Sequence, residues 1–217
     1  MNTIRRAYRE GGIKTVILRS FKKLMLPVMS AGSLIFVECD LRKPLPQRPS
    51  LPEILAREAA LADAGLFENR KTFLERLRAG KRCFIGIDSA TGKLANYRWI
   101  ARFTEYIPEI DRYIVLEPGE VYSYDLRTMP DFRRRGIDSY TRHETYQCLR
   151  DQGFSKVCAY VRGDNYPMRK SSRPLLKPVG RVWYVRFRGS RCFLFGERRK
   201  GLPQLVTSWS ESDIQAA

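Results

Sequence analysis

The chain has 217 residues, of which 40 are Lys or Arg and 23 are Asp or Glu, giving a formal charge of +17 near neutral pH. With 43% apolar and 12% aromatic residues it is too apolar for a disordered segment and long enough to bury a core as one domain with an appendage. No stretch of about 18 uncharged apolar residues occurs, which excludes a membrane-spanning helix, and five scattered cysteines with a single histidine and no Cys-x-x-Cys pair argue against a zinc site, a disulfide framework or a hydrolytic triad.

In chain order, residues 3–25 read as a basic amphipathic helix. Ile4, Tyr8, Ile13, Val16, Ile17, Phe21 and Leu24 recur at roughly helical spacing with cations between them, and Gly11-Gly12 divides the run. Residues 34–37, Leu-Ile-Phe-Val, predict a strand. Residues 42–52 hold Pro44, Pro46, Pro49 and Pro52 and predict an extended connection. Two helices are expected at 53–64 and 68–79, the second closed by Gly80. Residues 83–87 and 94–103 form a predicted hairpin around Gly92, and 104–118 an irregular connection. A strand follows at 120–128, a loop at 130–135, a helix at 136–152 closed by Gly153, and a strand at 155–161. Residues 166–177 suggest a short helix interrupted by Pro174. A closing hairpin spans 179–187 and 191–195, and the tail from 197 is polar. Runs of strands mixed with helices define an α+β class with a mixed, mainly antiparallel central sheet flanked by helices. The expected organisation is a basic N-terminal part over 1–52, a domain over 53–196 and a loose tail over 197–217.

The positive charge implies anionic partners, and its compact centre is Arg133-Arg134-Arg135, which abuts Gly136. Here a strand ends, a short turn follows Pro130, and a helix begins. Backbone N–H groups at a helix N-terminus and its dipole favour an anion. Gly136 permits close backbone approach, and the arginines supply charge-assisted hydrogen bonds. The segment Arg133, Arg134, Arg135, Gly136, Ile137, Asp138 and Ser139 therefore reads as a pyrophosphate cradle. By period-two alternation Glu120, Tyr122 and Tyr124 share one face of the preceding strand. His143 and Trp99 read as packing residues, and the five cysteines as reduced, mostly buried thiols of a cytoplasmic protein.

Arg133-Arg-Arg-Gly136-Ile137 behind Pro130 resembles the acyl-CoA motif of the GCN5-related N-acetyltransferase (GNAT) superfamily, Arg/Gln-x-x-Gly-x-Gly/Ala. Asn165, just past the strand that follows the motif helix, matches a second feature of that family, and the order of elements from about 53 to 196 a third. The resemblance implies direct transfer of an acyl group, acetyl first among them, from acyl-CoA to an amine acceptor, with no metal and no covalent cysteine. It implies oxyanion donors from the backbone near Leu126, Arg127 and Thr128, a pantetheine neighbour in Asn165, and a base on the strand, for which Glu120 is the one carboxylate. Tyr122 or Tyr124 is suited to hold a water. The sequence departs from the pattern at Asp138, where the family prefers Gly or Ala, at Ser172, where many members carry Tyr, and at Lys177-Pro-Val-Gly180. Two other readings stand beside it: an acidic acyl-carrier protein as donor, and a non-catalytic protein that binds phosphate or nucleic acid. Against nucleic acid, the aromatics form no stacking motif. The basic N-terminal segment is expected either to pack on the domain or to attach it peripherally to an anionic membrane surface, at the inner face of the membrane.

Overall fold

The computed structural model describes residues 29–47, 50–172, 175–187, 192–196 and 202–208. The expected helix at 3–25 lies outside them. The strands are β1 (Met29–Asp40), β2 (Ile54–Glu58), β3 (Arg82–Asp88), β4 (Leu94–Ala101), β5 (Thr104–Ile107), β6 (Arg112–Val115), β7 (Glu120–Thr128), β8 (Lys156–Arg162), β9 (Lys177–Phe187), β10 (Cys192–Phe195) and β11 (Gln204–Val206). The helices are α1 (Arg70–Arg78), α2 (Ile137–Asp151) and α3 (Tyr166–Ser172). Eight strands form one sheet in the order β10-β9-β1-β8-β7-β4-β3-β2, and β11-β6-β5 form a small second sheet.

The middle of the large sheet is covered on both faces, and its alternation shows it. On β1, Ile35, Val37 and Cys39 join Val121, Val157, Tyr146 and Leu149 beneath α2. Leu34 and Phe36 point the other way, to Tyr122, Tyr184 and the small sheet's Ile107 and Ile114. Phe73 of α1 packs beside Cys83, Ile85 and Trp99 on that same second face. The α+β class and the mixed, mainly antiparallel sheet are as the sequence predicts, and the strand at 120–128 has the expected bounds.

Several elements differ from expectation. Residues 53–64 are not a helix: Ile54–Glu58 pairs with β3 as an edge strand, and Leu61–Leu66 is a 3₁₀ turn. Sheet pairing here overrides local helix propensity. Residues 104–118 hold the β5–β6 hairpin, turned at Asp111 with φ 53°. The tail contributes β11, whose Leu205 packs on the core with Leu202. β1 runs through the middle of the sheet between β8 and β9, so the expected boundary at residue 53 does not separate it from the rest.

One junction positions the site. The sheet's parallel pair, β7 with β8, is held by only three residue pairs, Glu120–Lys156, Val121–Val157 and Tyr122–Cys158. Beyond them β7 follows β4 and β8 follows β1. The two strands therefore splay, and the open end of the splay faces the loop that leads into α2.

Candidate active site

The loop after β7 begins with a single 3₁₀ turn, Pro130–Phe132, and ends at Gly136, the residue preceding α2. Arg134 (φ 64°) and Gly136 (φ 77°) both take the left-handed conformation. Glycine tolerates it freely and arginine at a cost of roughly 1–2 kcal/mol. A Cβ on Gly136 would meet only Leu51 Cδ1 at 4.0 Å, so the conformation, not crowding within the protein, selects glycine there. The first helical hydrogen bond runs from Tyr140 N–H to the Gly136 carbonyl, 3.1 Å, which leaves the amides of Ile137, Asp138 and Ser139 without helical acceptors. Arg133, Arg134 and Arg135 are exposed. Arg133 Nε donates to the Thr128 carbonyl at 3.2 Å, and the Arg135 guanidinium lies 5.6 Å from the centre of the Phe132 ring. The Ile137 side chain is buried with Ile54, Phe132 and Tyr140, so that residue offers only its backbone.

Asp138 does not face the loop. Its carboxylate turns inward between Arg98 of β4, 2.8 Å away, and Arg142 one turn along α2. Both arginines are almost fully buried, at 2% and 0% exposure. Arg98 also donates to Ser123 Oγ at 3.3 Å, and Arg142 to the Ser171 carbonyl at 3.1 Å. Desolvation pulls the Arg98 guanidinium below its ordinary value. Two cations and one anion leave a net positive charge under the first turn of α2, where it adds to the helix dipole. Asn96 fastens the same corner. Its amide donates to Thr128 Oγ1 (2.9 Å) and the Arg127 carbonyl (3.1 Å), and its carbonyl accepts from Thr141 Oγ1 (2.7 Å).

β7 carries a bulge. Tyr124 pairs with Trp99 and Arg127 with Tyr97, so Asp125 and Leu126 stand opposite Arg98 alone. Asp125 takes φ 43°. Such bulges bend a strand and free its local ladder groups, and a left-handed non-glycine residue is strain kept by its surroundings. What holds Asp125 is an ion pair with Arg76 of α1. Arg76 in turn lies 5.0 Å over the Trp99 ring and 5.6 Å over Tyr124. Beside the bulge is a cavity of about 260 Å³ between α1 and the sheet, with Arg76, Asp125, Arg127, Glu68, Tyr97 and Trp99 among its lining residues. Met129, the residue before the loop, also lines it, so cavity and loop meet at the end of one strand.

The expected residues fall into two groups. Arg127 lines the cavity, and Leu126 and Thr128 stand at or beside the bulge, while Arg133 to Ser139 form the loop. Glu120 lies elsewhere: it is buried where β7 and β8 still pair, in an ion pair with Lys156, whose ammonium that bond holds above its ordinary value. Five residues at about 3.3 Å each put it roughly 16 Å from the bulge, so its carboxylate is not brought to the cavity. Tyr122 is buried in the core and stacks on Tyr124, 5.7 Å between ring centres. Burial pushes the Tyr122 hydroxyl well up. Burial and the neighbouring Glu105 do the same to the hydroxyl of Tyr124. Asn165 caps α3, accepting from Met168 N–H at 3.3 Å. His143 donates from Nε2 to the Pro46 carbonyl at 2.9 Å and pins the proline-rich connection to α2. Burial pushes the Cys158 thiol up to about 12 and Cys39 to about 11, which suits packing rather than nucleophilic attack. Among the described residues no group of His, Cys, Asp and Glu is arranged to hold a metal ion. Sequence reading missed Arg76, Glu105 and Asp125. Asp125 lay in a plain strand pattern, and the other two gain their roles only when α1 and β5 are laid on the sheet.

No protein-family model matches the sequence, and no curated protein matches it. Solved structures do. The fold is similar to a tandem GNAT protein from the clavulanic acid biosynthesis pathway, with a TM-score of 0.52 and 14% identity over 80% of this chain and 59% of that one. It is similar to a GCN5-related N-acetyltransferase from Sphaerobacter thermophilus, at 0.51 and 13% over 80% and 56%. A third is a GNAT-family acetyltransferase assigned in Novosphingobium aromaticivorans, at 0.50 and 13% over 78% and 67%. The chain spans a little over half the length of the first two. At the level of fold, then, the chain is similar to GNAT proteins.

Proposed function

We propose that the protein is an N-acyltransferase that moves an acyl group from an acyl-CoA to a small amine. The observation that carries this reading is that the splay of β7 from β8 ends at the left-handed Gly136 loop, while the cavity opens at the bulge of the same strand. The loop residues suit a pyrophosphate: free amides at the start of α2, exposed Arg133 to Arg135, and a net positive charge beneath. With Asp138 turned inward, its carboxylate does not oppose a phosphate at the loop. A bound acyl-CoA supplies an activated thioester carbonyl. In the reaction a C–N bond forms as the amine attacks that carbonyl and the C–S bond breaks. The amine's proton goes to water, and the CoA thiolate takes one back. The groups freed at the Asp125–Leu126 bulge are positioned to meet a developing oxyanion. Burial and Glu105 hold the Tyr124 hydroxyl protonated and make it a weak acid, so it suits donating a hydrogen bond rather than a proton. A cavity of about 260 Å³, in which Asp125 pairs with Arg76 and Glu68 with Arg127 over an aromatic floor, suits a compact acceptor.

The test is binding before turnover. Acetyl-CoA and longer acyl-CoA thioesters should raise the melting temperature of the wild-type protein, because a ligand of the native state stabilises it. Gly136→Glu should stay folded and lose that shift, since it sets a carboxylate where the phosphates lie. A folded Gly136→Glu variant with unchanged acetyl-CoA affinity would refute the reading.

A further inference from the structure

The edge hairpin of the large sheet is apolar on both faces. Along β9, Arg181, Trp183, Val185 and Phe187 alternate onto one face, and Phe195 and Phe193 of β10 join them by pairing with Trp183 and Val185. The opposite face, with Val182, Tyr184 and Cys192, is buried in the core. Yet on the first face Trp183 is 51% exposed, Phe187 42%, Phe193 52% and Phe195 57%. The other exposed large apolar residues described, such as Leu55, Leu61 and Tyr166, stand on other elements. A contiguous aromatic face on a sheet edge marks an interaction surface.

Its charge narrows the partner. Residues 177–187 and 192–196 contain Lys177, Arg181 and Arg186 and no Asp or Glu. The Arg181 guanidinium lies 5.2 Å from the Trp183 ring centre, at the end of the aromatic row. The face continues into β1, whose first residue, Met29, pairs with Phe187. The sequence immediately upstream, residues 3–25, carries seven cations and one acid between apolar positions. An acidic soluble protein would be met by cations at the centre of the contact. Here the centre is aromatic and Arg181 stands at its margin, while Arg186 turns to the other face and donates to the Pro108 carbonyl at 2.7 Å; an aromatic centre with a cation at its edge matches a surface apolar beneath and anionic above. We propose that the β9–β10 face docks on an anionic lipid bilayer, with Trp183, Phe187, Phe193 and Phe195 at the headgroup boundary and Arg181 on lipid phosphates.

The test uses the full chain and a variant carrying Trp183→Ser, Phe193→Ser and Phe195→Ser, all at exposed positions. Both are sedimented with phosphatidylcholine vesicles, alone or mixed with phosphatidylglycerol, at low and moderate salt. The wild type should sediment with the mixed vesicles and not with phosphatidylcholine alone. The variant should keep its melting temperature and bind the mixed vesicles at least about tenfold more weakly, the scale expected when three aromatic side chains are lost from an interface. Three results would overturn the proposal. One is no wild-type binding to anionic vesicles at low salt. Another is unchanged binding by the variant, which would assign the attraction to other basic surfaces. The third is a wild-type dimer that ignores vesicles and becomes monomeric in the variant, which would make the occupant a second copy of the chain.

Discussion

Asp138 shows how a single side chain sets the character of the loop above it. At the second position of α2 a carboxylate ordinarily faces outward and complements the helix dipole. Here it is the only anion between two buried guanidinium groups. Removing one partner from a buried ionic group leaves charge uncompensated and costs about 3–5 kcal/mol. Asp138→Asn should therefore lower the unfolding free energy read from urea melts by that order, while Asp138→Asn combined with Arg98→Met should recover part of the loss. A single variant within about 1 kcal/mol of wild type in urea melts would show that the triad is not coupled. The sequence marks Asp138 as a departure from the acyl-CoA motif, and its spacing to Arg142 is the readable i,i+4 pair. Its other partner, Arg98, lies forty residues earlier on a strand, and no local pattern joins the two. Glu120 failed to reach the cavity for the converse reason. Alternation places it on the face of Tyr122 and Tyr124, but distance along the strand and the partner Lys156 come from the parallel pairing with β8.

Among the elements, the 3₁₀ turn Leu61–Leu66 depends on one ion pair. Asp63 accepts from both terminal nitrogens of Arg57, at 2.6 and 2.7 Å, and from Ala60 N–H at 2.7 Å. These bonds, the Arg57 guanidinium first, hold the Asp63 carboxyl below its ordinary 3.8. A folded value below the unfolded one stabilises the protein above the unfolded value, and that contribution fades as pH falls through the folded one. Asp63→Asn should thus be less stable than wild type at neutral pH, and its stability should fall less steeply between roughly pH 4 and 2, as read from urea melts across that range. Equal slopes for the two proteins would separate Asp63 from acid unfolding. The elements legible in sequence are those whose local signals agree: β3 and β4 around a glycine turn, β7 by alternation, and α2 between Gly136 and Gly153. Residues 53–58 read as helical because Glu, Leu, Ala and Arg favour helix, whereas edge pairing with β3 decides the outcome. β5 and β6 are four residues each, too short for periodicity to rise above their polar neighbours. β11 has three residues, and its pairing with β6 is visible only once the core is built.

Across the whole molecule, the charge of +17 acts at two depths, and they should separate by salt. The arginines at 133, 134 and 135 stand in solvent, where ions screen them within about 8 Å at physiological strength. The Arg98–Asp138–Arg142 cluster is buried and is screened far less. If acyl-CoA phosphates sit at this loop, the exposed arginines should contribute a steering and binding component that salt removes, and the buried charge and free amides of α2 a component that salt leaves. Acetyl-CoA affinity, measured by calorimetry, should fall on the order of tenfold between about 50 and 500 mM NaCl and then level off. Arg134→Gln with Arg135→Gln should weaken binding at low salt, flatten the dependence, and converge on the wild-type affinity at high salt. A salt series that is flat for the wild type would place the phosphates away from these arginines. A wild-type affinity that keeps falling without a plateau would mean that the buried charge adds nothing at the loop.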